Sequence, residues 1–383
     1  MPLETSTTID GLNALWPLGT DTKSQGDDHL RLLKSVLQAD AVDQAQFATL
    51  SGSTVKATAQ ARNRIANPAM QISQENINTA GTVNAYHAAD QWFTGFVSSA
   101  GTITSQRVQS VTPNGSKDRY RVTITVADAA LAAGEYLVIQ QNIEGGRVAD
   151  FRYGSASAKQ AILRFGLKAP AGTYAVSLKN SGTSRSYVAL VTVSAANTDT
   201  EYSLVIPGDT AGTWLTDSGI GISLTITLAC GTTFQGAAGW QAGNVHGTSG
   251  VSNGMGTAGA VFEFYDVGLY LDPDVTGLAP KWTLPDETQE LAACQRYWQW
   301  VAFQYWGAAN SGVAYLAMGK ISPSMRTTPA MGGAIQITAT LFPAVAGGFS
   351  VFNFLGGGVS ENRTASGTGT GGFQTVAAAN ARM

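Results

Sequence analysis

The sequence contains few charged residues. Asp, Glu, Lys and Arg make up 13% of its 383 residues, against about 25% in an average soluble domain. The 23 basic and 26 acidic residues nearly balance, so the chain lacks the basic excess typical of nucleic-acid-binding proteins. A chain this poor in charge forms few salt bridges. We therefore expect strands rich in Ser, Thr, Gly and Ala, with part of the surface covered by contacts between subunits.

Cysteine, histidine and long apolar runs are also scarce. The two cysteines, Cys230 and Cys294, cannot form a disulfide framework or a four-ligand zinc site. The three histidines, His29, His87 and His246, lack the paired spacing of metal ligands, and we expect no metal and no cofactor. No stretch approaches the ~18 consecutive apolar residues of a membrane span, and none resembles a signal peptide. We therefore expect no membrane insertion.

Small and apolar residues, by contrast, are plentiful. Apolar residues make up 44% of the chain and glycine occurs 44 times, and this apolar content is enough to exclude wholesale disorder. At about 150 residues per domain, the length predicts two or three compact units. Changes in pattern predict an N-terminal segment over residues 1–41, a linker over 42–61, a β domain over 62–285 and a second unit over 286–383.

An amphipathic pattern predicts a helix over residues 27–41. Leu30, Leu33 and Leu37 fall on one stripe of such a helix. A lone helix of this length is marginal in water, so it needs a partner to cover the stripe. That partner is either another protein or the rest of this chain.

Alternating apolar and polar residues predict strands from about residue 62 onward. The period of two is clear in residues 119–126, 174–178, 187–193 and 220–228. Turn signals separate these segments, and no helix-length amphipathic segment lies between them. The pattern predicts an antiparallel sandwich or jelly roll.

The remaining residues predict a second, smaller β domain. It begins with a short helix over 286–297, and strands are predicted over 312–320, 333–341 and 348–355. The domain also holds the densest aromatic run of the chain, over 297–306. As a strand, this run places Trp298, Trp300 and Trp306 on one face and Tyr305 on the other.

These aromatic side chains permit two interpretations. In the first they pack in a core or between subunits. In the second they form an exposed platform on which the C–H face of a sugar stacks. Large aromatic rings dominate the energetics of both settings. The candidate sugar contacts are Trp298, Trp300, Tyr305 and Trp306, together with Phe352, Phe354 and Asn362 from the glycine-flanked segment that follows.

Two other motifs have simpler explanations than a ligand site. Residues 254–259 match the dinucleotide pattern G-x-G-x-x-G, but a polar loop precedes them and a predicted strand follows, which is the wrong context. We interpret this segment as a flexible loop. Asp272 and Asp274 flank a proline and could bind calcium, yet one short loop supplies too few ligands and such loops usually form turns.

A polysaccharide-cutting enzyme would need two carboxylates that converge on one cleft. The strand-rich region offers several acidic residues, and the sequence does not show which of them meet in space. These are Glu144, Asp150, Asp217, Glu263, Asp266, Asp272 and Asp274.

Several segments of the chain resemble the tail fibres, or receptor-binding proteins, of tailed bacteriophages. Residues 16–34 resemble the N-terminal segment of many such fibres. Other matching segments, in the order expected for a fibre with a carbohydrate-binding-like jelly-roll module, are residues 63–72, 90–92, 140–145, 185–187, 206–214, 291–297 and 324–329.

The resemblance implies a mainly β virion protein with three parts. An N-terminal helical anchor, with Trp16, Leu30, Leu33 and Leu37 as its contacts, would attach to the tail or baseplate. The jelly roll and a C-terminal β tip domain would follow, and the tip would bind a host surface polysaccharide. Such fibres are generally homotrimers, made in the host cytoplasm without a signal peptide. The resemblance supplies no catalytic residue, and it implies that Cys294 serves packing.

Three functions remain open from the sequence. The first is an adhesin that binds a bacterial surface glycan without cutting it, and we rank it first. The second is a structural connector that carries a separate adhesin. The third is a polysaccharide depolymerase, although the β-helix repeat of many tailspike enzymes is not visible at any fixed period.

Overall fold

The computed structural model describes residues 28, 30–32, 34, 35, 62–340, 349–352, 358–366 and 368–383. For residues 333–340, 349–352, 358, 362, 371 and 372 it describes the backbone alone. The chain divides into one unit over residues 1–62 and another over residues 63–383. The predicted limits of the smaller domains stay a prediction.

Apart from Arg62, the described residues of the first unit are helical, and they lie within the predicted helix over 27–41. Leu30 is 57% exposed there. The other three predicted anchor contacts, Trp16, Leu33 and Leu37, lie outside the described residues.

Twelve strands form a β-sandwich in the second unit. They are β1 (Tyr86–Ala89), β2 (Trp92–Val97), β3 (Thr102–Gln109), β4 (Asp118–Val126), β5 (Tyr136–Glu144), β6 (Ala161–Lys168), β7 (Gly172–Lys179), β8 (Arg185–Val193), β9 (Thr200–Ile206), β10 (Ile220–Cys230), β11 (Gly239–Ala242) and β12 (Val261–Leu271). A single-turn helix, α1 (Gly145–Val148), follows β5.

The strands pair antiparallel in two sheets. One sheet has seven strands in the order β1-β2-β5-β10-β7-β8-β11, and the other has five in the order β3-β4-β12-β6-β9. Most neighbours in each sheet are distant in sequence, so the chain passes repeatedly from one sheet to the other. This arrangement confirms the predicted antiparallel sandwich.

The core of the sandwich lies between the inner faces of the two sheets. In β10 the inward side chains Ile222, Leu224, Ile226 and Leu228 are all 1% exposed or less. They alternate with small polar side chains on the outer face, as the period of two predicts. The ring of Trp92 meets that of Phe264 edge-on across the core, with their centroids 5.3 Å apart.

The C-terminal part begins with helix α2 (Glu287–Gln295), which Asp286 caps by accepting a hydrogen bond from the backbone N–H of Gln289. Two three-stranded antiparallel sheets follow, in the orders β13-β18-β15 and β14-β17-β16. We call this part the tip domain. Its strands are β13 (Trp298–Ala309), β14 (Ala314–Lys320), β15 (Ala330–Thr340), β16 (Phe349–Phe352), β17 (Gly358–Thr364) and β18 (Gly369–Asn380).

The tip domain has a core of its own, and that core holds a buried ion pair. Glu361 and Arg363 are both 3% exposed or less, and Arg363 Nε donates to Glu361 Oε1 at 2.7 Å. The guanidinium also donates to Thr375 Oγ1 at 2.8 Å and lies 4.7 Å from the centroid of the Phe373 ring. The core of this domain is therefore partly polar. Among the described helices, none is long and apolar enough to cross a membrane.

Candidate functional site

Two tryptophans on β13 are exposed to solvent. Trp300 is 38% exposed and Trp306 is 64% exposed. Every other Phe, Tyr or Trp side chain that the structure describes is buried or half-buried. Large exposed aromatic rings are the surface feature that most needs a functional explanation in this molecule, because burying such a ring is strongly favourable.

The pairing of β13 with β18 places these rings on one continuous surface. Trp306 lies opposite Gly372, Gln304 opposite Gln374, Ala302 opposite Val376 and Trp300 opposite Ala378. Directly opposed residues of an antiparallel pair point to the same side of the sheet. We call this surface the tryptophan face. It consists of Trp300, Ala302, Gln304, Trp306, Gln374, Val376 and Ala378.

The tryptophan face is chemically mixed along its length. The Trp306 ring is exposed, and the residue opposite, Gly372, has no side chain that could cover it. Trp300 and Trp306 are six residues apart, which is about 20 Å along a strand. The amides of Gln304 and Gln374 lie between them, and neither makes a hydrogen bond to another described residue. Two rings with amide donors and acceptors between them suit an elongated ligand that is apolar on its faces and carries hydroxyl groups.

The opposite side of β13 holds the face in place. Phe303 is fully buried, and the ring of Tyr305 stacks on Phe373 with centroids 6.0 Å apart. Tyr305 also contacts the ring of Tyr315 at 5.0 Å, and its hydroxyl donates to the Ala308 carbonyl. Tyr305 is half-buried and points into the tip domain, so it supports the face from below.

One end of the face is closed, and this corrects the expectation for Trp298. Trp298 is only 2% exposed, because the guanidinium of Arg382 lies 5.3 Å from its ring centroid. Arg382 is held there by Glu75 at 2.5 Å, and Trp300 Nε1 donates to the Gln74 carbonyl at 3.2 Å. Trp298 has no free ring face for a sugar, and its role is to pack against Trp300.

Three further predicted contacts receive no side-chain description. Phe352 ends β16 and Asn362 lies in β17, each with the backbone alone described, and Phe354 lies outside the described residues. Gln304 and Gln374 are not among the predicted contacts. Alternation along β13 does put Gln304 on the side of Trp300, but no sequence signal pairs it with Gln374.

Several of the acidic residues considered for catalysis are held by other side chains. Arg296 and Tyr297 hold Glu144, Arg64 pairs with Asp150 at 2.7 Å, and three cations surround Glu263. Among the described residues there is no group of three or more His, Cys, Asp or Glu side chains that could hold a metal ion.

The Asp272 loop is a turn closed by its own hydrogen bonds. Asp272 accepts from the backbone N–H groups of Thr276 and Gly277 and from the Gln160 amide. Burial raises the pKa of Asp272, but these hydrogen bonds outweigh it and leave the pKa below its usual range. A carboxylate with this many protein donors needs no cation, as the turn interpretation predicts.

Both cysteine thiols are buried and unreactive. Burial raises the pKa of Cys230 to about 11 and raises that of Cys294 well above its ordinary value. A nucleophilic cysteine needs a lowered pKa, so these thiols serve packing.

No protein-family model matches the sequence, and no curated protein matches it. Solved structures do match. The enzymatically active domain of tailspike protein 4 from bacteriophage CBA120 is 12% identical, with a TM-score of 0.31. That match covers 55% of this chain and 21% of the tailspike chain.

Carbohydrate-binding modules match the same share of the chain. TmCBM61 in complex with β-1,4-galactotriose is 10% identical with a TM-score of 0.28, over 55% of this chain and 99% of its own. The carbohydrate-binding and catalytic modules of a Clostridium thermocellum endo-1,4-β-D-xylanase with xylohexaose are 15% identical with a TM-score of 0.27. That match covers 55% of this chain and 30% of the xylanase chain. Likeness at this level carries no functional argument, and the sandwich rests on the strand order given above.

Proposed function

We propose that this protein is a glycan-binding adhesin and that its tryptophan face is the glycan-binding surface. The observation that supports this most directly is the exposure of Trp300 and Trp306 on one face, with the amides of Gln304 and Gln374, which bond to no other described side chain, between them. Rings supply apolar contact to the C–H faces of sugars, and amides supply both donors and acceptors to hydroxyl groups.

The charge and hydrogen-bond state of the face favour a neutral part of a glycan. The seven residues of the face carry no charge, so affinity there depends on stacking and on amide hydrogen bonds. Stacking contributes about 0.5–1.5 kcal/mol per ring pair in proteins, so a single site of this kind binds weakly. An adhesin of this design gains strength from several copies.

We propose further that the adhesin is part of a bacteriophage tail fibre. In this proposal residues 1–41 attach the fibre to the tail or baseplate, through Trp16, Leu30, Leu33 and Leu37, and three chains assemble as a homotrimer. Three linked sites raise avidity by ~10²–10⁴ without new contacts. The protein then binds a host polysaccharide without cutting it. The resemblance of residues 16–34 and of the later segments to phage fibres supports this part of the proposal.

The test is binding of the purified protein to an array of bacterial surface polysaccharides. Trp300→Ala and Trp306→Ala should each lower the affinity for the bound glycan about 10-fold, because each removes one stacking ring. Leu316→Ala is the matched control, since Leu316 is 50% exposed on the other sheet of the tip domain. Unchanged binding in both tryptophan variants would refute the proposed site.

The fibre role has its own test. A protein lacking residues 1–41 should bind the same glycan as the full chain but fail to appear on virions in a complementation assay. A truncated protein that still assembles onto virions would show that the anchor lies elsewhere.

A further inference from the structure

A second candidate site lies on the sandwich, away from the tip domain. It is a cavity of about 670 Å³, within the roughly 300–1,000 Å³ that small-molecule sites occupy. One wall is the outer face of the five-stranded sheet, where Arg121 of β4, Lys168 of β6 and Glu263 of β12 line it. The loop before β12 also lines the cavity, through residues 252–254 and 257–260.

The glycine-rich segment 254–259 belongs to this loop, and two of its glycines have different structural reasons, close approach at Gly254 and a positive φ at Gly259. A Cβ on Gly254 would lie 2.5 Å from the Leu228 carbonyl oxygen. Gly259 has a φ of +81° and donates its N–H to the Ile124 carbonyl at 2.8 Å. Hydrogen bonds from Gly254 to β10 and from Gly259 to β4 thus fix the loop, and both glycines line the cavity. The motif serves the cavity and has no dinucleotide context.

The charged lining of the cavity is positive overall, because it contains two cations and one carboxylate. Glu263 is 3% exposed at the base and accepts from Arg121 Nε at 2.9 Å and NH2 at 2.5 Å. Arg119, two residues before Arg121 on β4, also donates to Glu263 at 3.1 Å. Arg119 is itself paired with Asp199. Lys168 Nζ lies at 3.9 Å from Glu263, outside hydrogen-bond distance.

The buried carboxylate orients Arg121 through hydrogen bonds and attracts Lys168 by charge, and both cations keep donors available. The side chains of Arg121 and Lys168 remain 34% and 37% exposed. Arg121 uses Nε and NH2 toward Glu263, and Lys168 keeps its three donors free of any hydrogen bond to a described residue. A guanidinium and an ammonium held in this way present charged donors to an anion in the cavity.

Neutral polar groups complete the lining. Asn197 is exposed, and its amide makes no hydrogen bond to another described residue. Ser252 Oγ accepts from the Thr173 N–H at 2.9 Å, which leaves its own O–H available to donate. Hydroxyl-bearing ligands pair with groups of this kind. The combination of two cations with an amide and a hydroxyl fits a carboxylate on a sugar better than a bare inorganic anion.

We propose that this cavity binds an acidic sugar residue, such as a uronic acid within a polysaccharide, through Arg121 and Lys168. The ligand class rests on the proposed glycan-binding function, but the site is separate from the tryptophan face. A protein with both sites would bind a charged sugar residue at the sandwich and a neutral part of the glycan at the tip domain.

The experiment is calorimetric titration of the full chain with trigalacturonate and with its methyl ester, which has nearly the same shape and no charge. We expect the acid to bind and the ester to bind at least about 10-fold more weakly. Lys168→Gln should lower affinity for the acid by about 10-fold. Arg121→Gln should also lower affinity for the acid by about 10-fold. If loss of the Arg121–Glu263 pair unfolds that variant, Lys168→Gln still tests the proposal. Lys117→Gln, at an exposed lysine of the same sandwich that does not line the cavity, is the control and should bind as the wild type does.

Any of three results would overturn the proposal. One is equal affinity for the acid and its ester, and another is equal affinity of the wild type and Lys168→Gln for the acid. The third is displacement of trigalacturonate by an equal concentration of inorganic phosphate, since the cavity would then accept any anion. Trp306→Ala separates the two sites. It should leave trigalacturonate affinity unchanged, so failure of the tip as a glycan site and failure of the cavity are distinguishable.

Discussion

Gln304 and Gln374 lie directly opposite each other on β13 and β18. Both side chains point to the side on which Trp300 and Trp306 are exposed, and the pair lies between those two rings. An amide pair in this position can donate to and accept from the same ligand. Because neither amide bonds to another described residue, a glycan that binds them breaks no hydrogen bond among the described side chains.

The first prediction concerns these amides. Gln304→Ala should lower glycan affinity about 10-fold, since a hydrogen bond to a ligand contributes about 1 kcal/mol or slightly more. The melting temperature should stay within about 1 °C, because an exposed side chain without internal partners adds little to stability. Gln109→Ala, at an exposed position in β3, is the matched control. A fall in melting temperature without a change in affinity would assign Gln304 to the tip domain's stability instead.

A second prediction concerns the ion pair in the tip domain. Arg363→Met should lower the free energy of unfolding by about 3–5 kcal/mol, because it leaves the fully buried Glu361 carboxylate without its cation. The double variant with Glu361→Gln should recover part of that loss, since it removes the uncompensated charge. Urea unfolding measures both. Equal stability of the single and double variants would show that the carboxylate does not need Arg363.

The third prediction concerns the junction between β5 and the segment after α2. Arg296 holds Glu144 with two hydrogen bonds, at 2.5 and 2.9 Å, and the Tyr297 hydroxyl adds a third. Burial raises the pKa of Glu144, but these donors outweigh it and hold the pKa below its usual value. The stabilisation is therefore complete above the unfolded pKa of about 4.3 and is lost as the pH falls through the folded value.

Glu144→Gln should accordingly make the stability of the protein less dependent on pH in the acid range. Between about pH 5 and about pH 3 the wild type should lose more melting temperature than the variant. At neutral pH the variant should be less stable, because the amide replaces a carboxylate that accepts charged hydrogen bonds. Identical acid slopes in the two proteins would rule out this role for Glu144.

A fourth prediction follows from a buried lysine on the outer face of the seven-stranded sheet. Lys179 Nζ lies 2.9 Å from His246 Nε2, and burial lowers the pKa of Lys179 to about 8. Burial, and then the charge of Lys179, lower the pKa of His246 to about 3. Between about pH 8 and about pH 10 the unfolded chain binds more protons at Lys179 than the folded chain does, so this lysine makes stability rise with pH there.

Lys179→Met should remove that rise. The check is the difference in unfolding free energy between wild type and variant, measured across the same pH interval, which cancels the titration of other groups. The difference should move in favour of the wild type as the pH increases. A constant difference would mean that Lys179 is protonated to the same extent in the folded and unfolded chains, so that folding does not lower its pKa.

The sandwich was largely predictable from the sequence, and the tip domain was less so. In β4, β7, β8 and β10 the period of two is strong because one side of each strand packs in a core of large aliphatic side chains. β17 and β18 were not predicted. Gly369–Asn380 is rich in Gly, Ala and Thr, and it is a strand because it pairs with β13 on one side and β15 on the other.

The candidate site, like the tip domain, was predictable from the sequence only in part. Strand alternation correctly placed Trp298, Trp300 and Trp306 on one face of β13, but it does not show which of the three rings is exposed. Trp298 is covered by Arg382, which is near the other end of the tip domain's sequence, and the neighbouring backbone is bound by Gln74 from before β1. Such contacts depend on how the chain folds back on itself, and no local pattern encodes them.

The most direct test of the account is oxidative footprinting of the tryptophans with and without a glycan that the protein binds. In the free protein Trp300 and Trp306 should be oxidised by hydroxyl radicals, and Trp298 should not, because it is 2% exposed. At saturating glycan both exposed rings should become protected, while Trp298 stays unmodified. If the glycan binds and Trp300 and Trp306 are oxidised as fast as before, the tryptophan face is not the binding surface.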